Sequence, residues 1–145
     1  MRVRWNLAVV LVTIAALAES VAAQSVQYRS AAGIEYRSMP DTGAIARAQI
    51  RLASDARSIE RLIGLGIAQS GVRQFREAIE TFTRGLRIAP NDPMLYRWRG
   101  HRYLSVREFD RAMDDLRPII EGFDWLSDTD KKNIFEMNAR KLYKI

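Results

Sequence analysis

Apolar side chains recur with helical spacing through the middle of the chain, and one pattern of apolar positions occurs twice. Positions i, i+3, i+4, i+7 and i+11 form one face of an α-helix, and they are held by Phe75, Ala78, Ile79, Phe82 and Leu86. Adding 34 to each number gives a second such face, namely Phe109, Ala112, Met113, Leu116 and Ile120. Subtracting 34 gives a fainter third set, namely Ala44, Ala48 and Leu52. The pattern predicts an all-α fold over residues 43–122, built from a repeating unit of 34 residues.

Small and aromatic residues stand at fixed places within each copy. The first copy has Leu62, Leu65, Gly66, Ala78, Phe82 and Pro90, and the second has Tyr96, Arg99, Gly100, Tyr103, Ala112 and Leu116. This arrangement resembles the tetratricopeptide repeat (TPR) family, whose unit is a pair of helices joined by a turn. The resemblance implies a short α-solenoid, with full copies over about 59–92 and 93–124 and a partial copy over 43–58. The sequence departs from the family at Gln69, Gly85 and Arg99, where Tyr, Ala and Leu are usual.

The structural repeat positions implied by this resemblance are Gly66, Ala78, Phe82, Pro90, Gly100, Tyr103 and Ala112. The small residues among them would let two helices approach closely, and a bulkier side chain there would be overpacked. We expect Phe75, Phe82 and Phe109 to fill the space that remains between helix pairs. Pro90 is expected to end a helix, and Asp92 to cap the next one.

The first 23 residues have the layout of a secretory signal. Arg2 and Arg4 precede an apolar run over residues 7–18, and the small residues 21–23 place the cleavage before Gln24. The alternative is an uncleaved membrane anchor, but the apolar run is shorter than the roughly 20 residues that a spanning helix needs. We therefore expect an exported protein, periplasmic or secreted, with no membrane span after the signal is removed.

Residues 24–42 carry no helical period. Tyr28-Arg29-Ser30 recurs as Tyr36-Arg37-Ser38 on either side of a short segment with a glycine, which would permit a small hairpin. Serine, glycine and proline in the same stretch favour a flexible, irregular arm. The arm is our prediction, with the hairpin as the alternative.

Residues 123–145 do not continue the repeat. Pro118 interrupts the second copy, and a loop then leads to a helix that Ser127 would cap. The apolar face of this helix is made by Phe135, Ala139, Leu142 and Tyr143, and we expect it to cap the stack. Residues 125–143 also resemble the closing helix of metal-dependent, amidohydrolase-related proteins of the decarboxylase-like group. The segment is therefore a cap that resembles them by chance, a recombined remnant, or part of a larger hydrolase, and none of that family's catalytic residues is present.

The amino-acid composition argues against several kinds of functional site. The chain has 145 residues, no cysteine and a single histidine, His101. The absence of cysteine excludes disulfides, and one histidine argues against a His-rich metal site or a Ser-His-Asp triad. The net charge of +6 comes from 23 basic residues interspersed with 17 acidic ones, which is not the pattern of a nucleic-acid-binding protein. We therefore predict a protein that is not an enzyme and needs no metal or cofactor. Asp110, Asp114 and Asp115 are expected on the exposed side of their helix, paired with Arg107 and Arg111.

The candidate binding residues are Arg97 and His101, with Met94 and Trp98 as weaker members. In TPR proteins the first helix of each pair lines a concave surface that binds peptides or helices. Arg97 and His101 are four residues apart on that helix, where a guanidinium could hold a carboxylate and a protonated imidazole could add a donor below about pH 6.5. The alternative is that the aromatic residues belong to the core and the arginines are solvated.

These residues predict a scaffold that binds a partner peptide or helix on its concave face. Self-association through the short stack is a further possibility. The alternative function is that of an amidohydrolase-related protein or fragment whose catalytic part is absent.

Overall fold

A computed structural model describes residues 24–134 of the chain. The elements in chain order are β1 (Val26–Arg29), β2 (Glu35–Arg37), α1 (Ala44–Ala53), α2 (Ile59–Gly71), α3 (Phe75–Ile88), α4 (Pro93–Ser105), α5 (Phe109–Glu121) and α6 (Asp128–Lys132). The prediction of a mainly helical chain is confirmed. The predicted signal sequence over residues 1–23, and residues 135–145 of the predicted terminal helix, lie outside the described residues. Within residues 24–134, no helix is both long enough and apolar enough to cross a membrane.

The helices α1 to α5 pack in chain order, each against the next. Of the apolar faces predicted from the spacing, the residues buried in the structure are Ala48, Leu52, Ala78, Phe82, Leu86 and Ala112. One core cluster joins α1 to α2 through Ile45, Ala48, Leu52, Leu62 and Leu65. A second joins α3 to α4 through Ala78, Phe82, Leu86 and Leu95.

The interval of 34 residues seen in the sequence recurs in the backbone. The helices α2 and α4 each have 13 residues and begin 34 positions apart, as do the starts of α3 and α5. The turns that follow α2 and α4 are alike as well, since Arg73 and Arg107 have left-handed φ angles of 58° and 61°. In both turns a backbone N–H donates to a carbonyl near the end of the preceding helix. Gln74 N donates to Gln69 O, and Glu108 N donates to Tyr103 O, each at 2.9 Å.

Close helix approach depends on glycine at two equivalent places. A Cβ atom on Gly66 would lie 2.4 Å from the ring of Phe82, and one on Gly100 would lie 2.6 Å from Leu116. Ala78 and Ala112 are both fully buried. These four small residues therefore stand where the two helices of each pair are in contact. Pro90 is exposed and follows the end of α3 by two residues.

The prediction that Phe109 fills space between helix pairs is wrong. Its counterpart Phe75 is covered by α4, because the guanidinium of Arg102 lies 5.3 Å from the centre of its ring. Phe109 is 49% exposed, and the guanidinium of Arg107, from the turn before it, lies 5.1 Å from the centre of its ring. The residue equivalent to Arg102 one repeat later falls at position 136, outside the described residues.

The prediction of an irregular arm over 24–42 is also wrong, because β1 and β2 form an antiparallel hairpin with Tyr28 opposite Tyr36. Gln27, only 2% exposed, fixes the hairpin to the start of α3. Its side-chain amide donates to Glu77 Oε2 at 2.9 Å, and its side-chain oxygen accepts from Arg76 N at 2.7 Å. These partners lie about fifty positions away, so local composition gives no sign of them.

The segment after α5 begins a further helix. Pro118 lies within α5 and does not end it, since the helix continues to Glu121. Ser127 caps α6 because its hydroxyl accepts from Asp130 N at 3.1 Å, and Asp130 Oδ2 in turn accepts from Ser127 N at 3.3 Å. Lys131 Nζ donates to Glu121 O at 2.8 Å and so holds α6 beside the end of α5.

Candidate functional site

A groove of about 520 Å³ opens between α4 and α5 at the end of the described stack. We call it the terminal groove. One side is formed by α4, and the other by α5 and by Phe123, two residues after its end. Its lining residues are Pro93, Met94, Arg97, His101, Leu116, Ile119, Ile120 and Phe123.

Local sequence explains why three of the four predicted binding residues share this groove. Asp92 starts α4 by accepting from Met94 N at 2.8 Å and from Leu95 N at 3.2 Å, with proline at the first position of the helix. Met94, Arg97 and His101 then follow at intervals of three and four residues, which places them on one face. Leu95 lies on the opposite side and is fully buried. The structure therefore brings Met94, Arg97 and His101 together at the groove.

Trp98, the fourth predicted binding residue, does not line the groove. Its ring packs against that of Phe82 with the ring centres 6.3 Å apart and the planes inclined by 18°. It belongs with the partly buried residues around the α3–α4 core. This position agrees with the alternative in which Trp98 packs against the neighbouring helix.

The floor of the terminal groove has a covered counterpart in the first copy. Subtracting 34 from Leu116, Ile119 and Ile120 gives Phe82, Gly85 and Leu86. In the first copy this surface lies under α4, with Leu95 in the core cluster and Tyr96 and Trp98 packed beside it. In the second copy no residue among 24–134 covers the same surface in this way, and α6 contributes no lining residue. The groove is thus the position at which another helix would continue the packing.

The charge of the groove depends on Arg97 and on pH. Burial lowers the pKa of His101 below its ordinary value, and the positive charges of Arg102 and Arg97 lower it further. His101 is therefore neutral near pH 7, and it gains its proton only at a pH lower than the value of about 6.5 expected from sequence. Of the described lining residues, Arg97 carries the positive charge at neutral pH.

A buried ion pair fixes α4 against α5 beside the groove, and sequence reasoning missed it. Arg99 donates to both carboxylate oxygens of Asp115, at 2.7 and 2.8 Å, and to Thr83 Oγ1 at 3.2 Å. The hydrogen bond with Asp115 raises the pKa of Arg99. The guanidinium also lies 5.5 and 5.7 Å from the ring centres of Tyr96 and Tyr103.

The expectation that Asp115 is exposed and paired with Arg107 or Arg111 is therefore wrong. Asp115 is 4% exposed, and Arg111 pairs instead with Glu108 at 3.0 Å. The interval of 34 contains the signal that would have revealed this. Arg99 and Asp115 stand at the positions of Leu65 and Thr81, both buried in the first copy. Two opposite charges at buried positions of adjacent helices indicate a pair.

The arrangement offers an apolar surface with a cationic edge, which suits binding of a protein segment. Among residues 24–134, no group of three or more His, Asp or Glu side chains comes together to hold a metal ion. The chain matches no protein-family model and no curated protein at a significant level of similarity.

Proposed function

We propose that this protein is an exported, TPR-like interaction scaffold whose terminal groove binds a helix of a partner protein. One observation carries the proposal: the surface equivalent to the groove in the first copy is covered by the helix α4. A surface of that shape and apolar character fits a helix, because a helix already fills its counterpart. Under this proposal the helix pairs form a short α-solenoid, and the segment over residues 1–23 directs export.

The chemistry of the groove defines the helix that would fit. Leu116, Ile120 and Phe123 require an apolar face on the partner, and Arg97 at the rim favours an acidic residue beside that face. An acidic, amphipathic helix therefore has charge complementarity with this surface.

The groove also differs from its counterpart in depth. In the first copy the side chain of Leu95 lies against Gly85, within 2.8 Å of where a Cβ would stand. Ile119 occupies the equivalent position in the second copy and fills that space. A leucine placed like Leu95 would clash there, so we expect the partner helix to present alanine or glycine at that point.

Site-specific photocrosslinking tests the proposal. A photoreactive phenylalanine analogue at Ile120 lies in the groove, and the same residue at Ile50, an exposed position on α1, is the matched control. In cells that produce the protein, we expect position 120 to crosslink to a distinct partner protein and position 50 not to do so. Arg97→Glu should abolish the crosslink because it removes the charge that attracts an acidic helix.

Other results would contradict the proposal in distinguishable ways. A product of twice the chain mass would assign the groove to a second copy of the protein. A crosslink confined to residues 135–145 of the same chain would make that segment the occupant. Absence of any crosslink at position 120 would remove the groove as a binding surface.

The amidohydrolase-related alternative rests on the resemblance of residues 125–143, and the described part of that segment ends at Ile134. Nothing among residues 24–134 favours it over the binding proposal.

A further inference from the structure

A second pocket lies where the hairpin meets the turns before α3 and α5. We call it the turn pocket. It has a volume of about 430 Å³ and shares no lining residue with the terminal groove. Its walls include three aromatic residues and three arginines, namely Tyr28, Tyr36, Phe75, Arg37, Arg73 and Arg107. This volume is within the range of small-molecule sites.

The walls of the turn pocket are held firmly. Gln27 is bonded to Glu77 and to the first residues of α3, as described above, and Gln27 O accepts from Arg76 Nε at 2.9 Å. A backbone bond of 2.7 Å from Met39 N to Val72 O joins the chain after β2 to the turn that follows α2. The tyrosines are therefore fixed relative to the turn that carries Arg73, and little order has to be gained when a ligand binds.

The two turn arginines occupy a backbone conformation that glycine adopts more easily. Both Arg73 and Arg107 have left-handed φ angles, which cost backbone energy in any residue with a Cβ. Strained positions of this kind tend to occur where a side chain has a role. Because the two turns are equivalent, they deliver guanidinium groups to the same edge of the molecule.

Of the three arginines that line the pocket, Arg37 pairs with Glu35, and the other two have no ion-pair partner among residues 24–134. No acidic side chain is among the described lining residues. Glu35 is engaged by Arg29 and Arg37. Arg73 and Arg107 form no ion pair with a residue of the described chain.

The guanidinium of Arg107 instead lies over aromatic rings. Its guanidinium carbon lies 5.6 Å from the ring centre of Tyr28 and 5.1 Å from that of Phe109. A guanidinium that contacts a ring face can still donate two parallel hydrogen bonds to a carboxylate or a phosphate. Tyr36 packs on Tyr28 with ring centres 5.6 Å apart and is about half exposed, so a ring face remains open beside these cations.

We propose that the turn pocket binds a small ligand with an oxyanion on a planar ring, the guanidiniums of Arg73 and Arg107 holding the oxyanion and the tyrosines contacting the ring. The oxyanion is a phosphate or a carboxylate, since both have the oxygen geometry that a guanidinium recognises.

Calorimetric titration of the full chain with phenyl phosphate, inorganic phosphate and benzoate tests this proposal. We expect saturable binding of one phenyl phosphate per chain, and weaker binding of inorganic phosphate because it lacks the ring. If phenyl phosphate binds more tightly than benzoate, the oxyanion of the natural ligand is assigned as a phosphate. If benzoate binds more tightly, it is assigned as a carboxylate, and either result supports the site. The double substitution Arg73→Gln with Arg107→Gln should weaken binding at least about tenfold.

The matched control is Arg51→Gln with Arg87→Gln, which removes the same charge from exposed positions on α1 and α3 outside the pocket. Binding should be unchanged in this control. Tyr36→Ala should remove the preference for phenyl phosphate over inorganic phosphate. If the glutamine double variant does not fold, Arg73→Gly with Arg107→Gly eases the left-handed backbone while deleting the same guanidiniums. Equal weakening in the pocket and control variants, or no saturable binding of any of the three probes, would overturn the proposal.

Discussion

Replacing Asp115 should destabilise the fold because it leaves the guanidinium of Arg99 without its partner between α4 and α5. The carboxylate of Asp115 is 4% exposed and the side chain of Arg99 17% exposed. Removal of one member of such a buried pair typically costs about 3–5 kcal/mol. Because Arg99 reaches some solvent and retains Thr83 as a partner, we expect Asp115→Thr to cost about 3 kcal/mol, at the lower end of that range.

The repeat provides its own compensating variant. The first copy has Leu65 and Thr81 where the second has Arg99 and Asp115. Thr81 bonds to Gln69 Oε1 at 2.8 Å and to Glu77 O, four residues back, at 3.0 Å. A threonine at 115 can bond its own helix backbone in the same way. We therefore expect Arg99→Leu with Asp115→Thr to recover most of the stability lost in either single variant.

Urea unfolding followed by helical circular dichroism measures these differences. A loss of about 3 kcal/mol lowers the urea midpoint by about 2 M if the m-value is near 1.5 kcal/mol/M. The coupling free energy from the four proteins isolates the pair from other effects of each substitution. A loss below about 1 kcal/mol in both single variants would show that the pair is not buried. A double variant as unstable as the sum of the singles would show that the two residues do not interact.

Two further perturbations follow from the geometry. Gly66→Ala should destabilise the fold by about 1–3 kcal/mol, because the new Cβ would stand 2.4 Å from the ring of Phe82. Gly64→Ala, on the same helix with no neighbouring atom within 4 Å, should stabilise it by about 0.5–1 kcal/mol. Equal effects of the two substitutions in urea unfolding would contradict the close approach at Gly66. The pKa of His101 is lowered in the folded protein, so a proton binds His101 more tightly in the unfolded chain. The free energy of unfolding is therefore largest above about pH 6.5 and decreases as the pH falls towards the folded pKa. His101→Gln should flatten this part of the stability–pH profile, and an unchanged difference between the two proteins from about pH 7.5 to 5.5 would show that the imidazole is not shielded as described.

Short-range pattern was sufficient to predict the helices. The spacing of Ala78, Phe82 and Leu86 defines one helical face, and its recurrence 34 residues later defines a second pair of helices. This works because helical periodicity is a local property, and residues three and four apart share a face wherever the helix lies. The grouping of Met94, Arg97 and His101 followed for the same reason, since all three lie on α4.

The hairpin and the buried pair could not be predicted with the same reasoning. Serine and glycine in residues 24–42 permit an arm or a hairpin, and the choice depends on Gln27 meeting Glu77 and Arg76. The burial of Asp115 depends on Arg99 from another helix. Contacts between distant segments depend on how whole helices align, so periodicity within one segment does not contain them.

The amino-acid sequence therefore determined where helices form, how long the repeating unit is, and which small residues permit close contact, because each of these follows from side-chain size and spacing within a few turns. Tertiary structure alone decided which polar residues are buried, which aromatic rings are covered, and which surface beside α5 the rest of residues 24–134 leaves uncovered. Burial is a property of two surfaces meeting, and the second surface comes from another part of the chain.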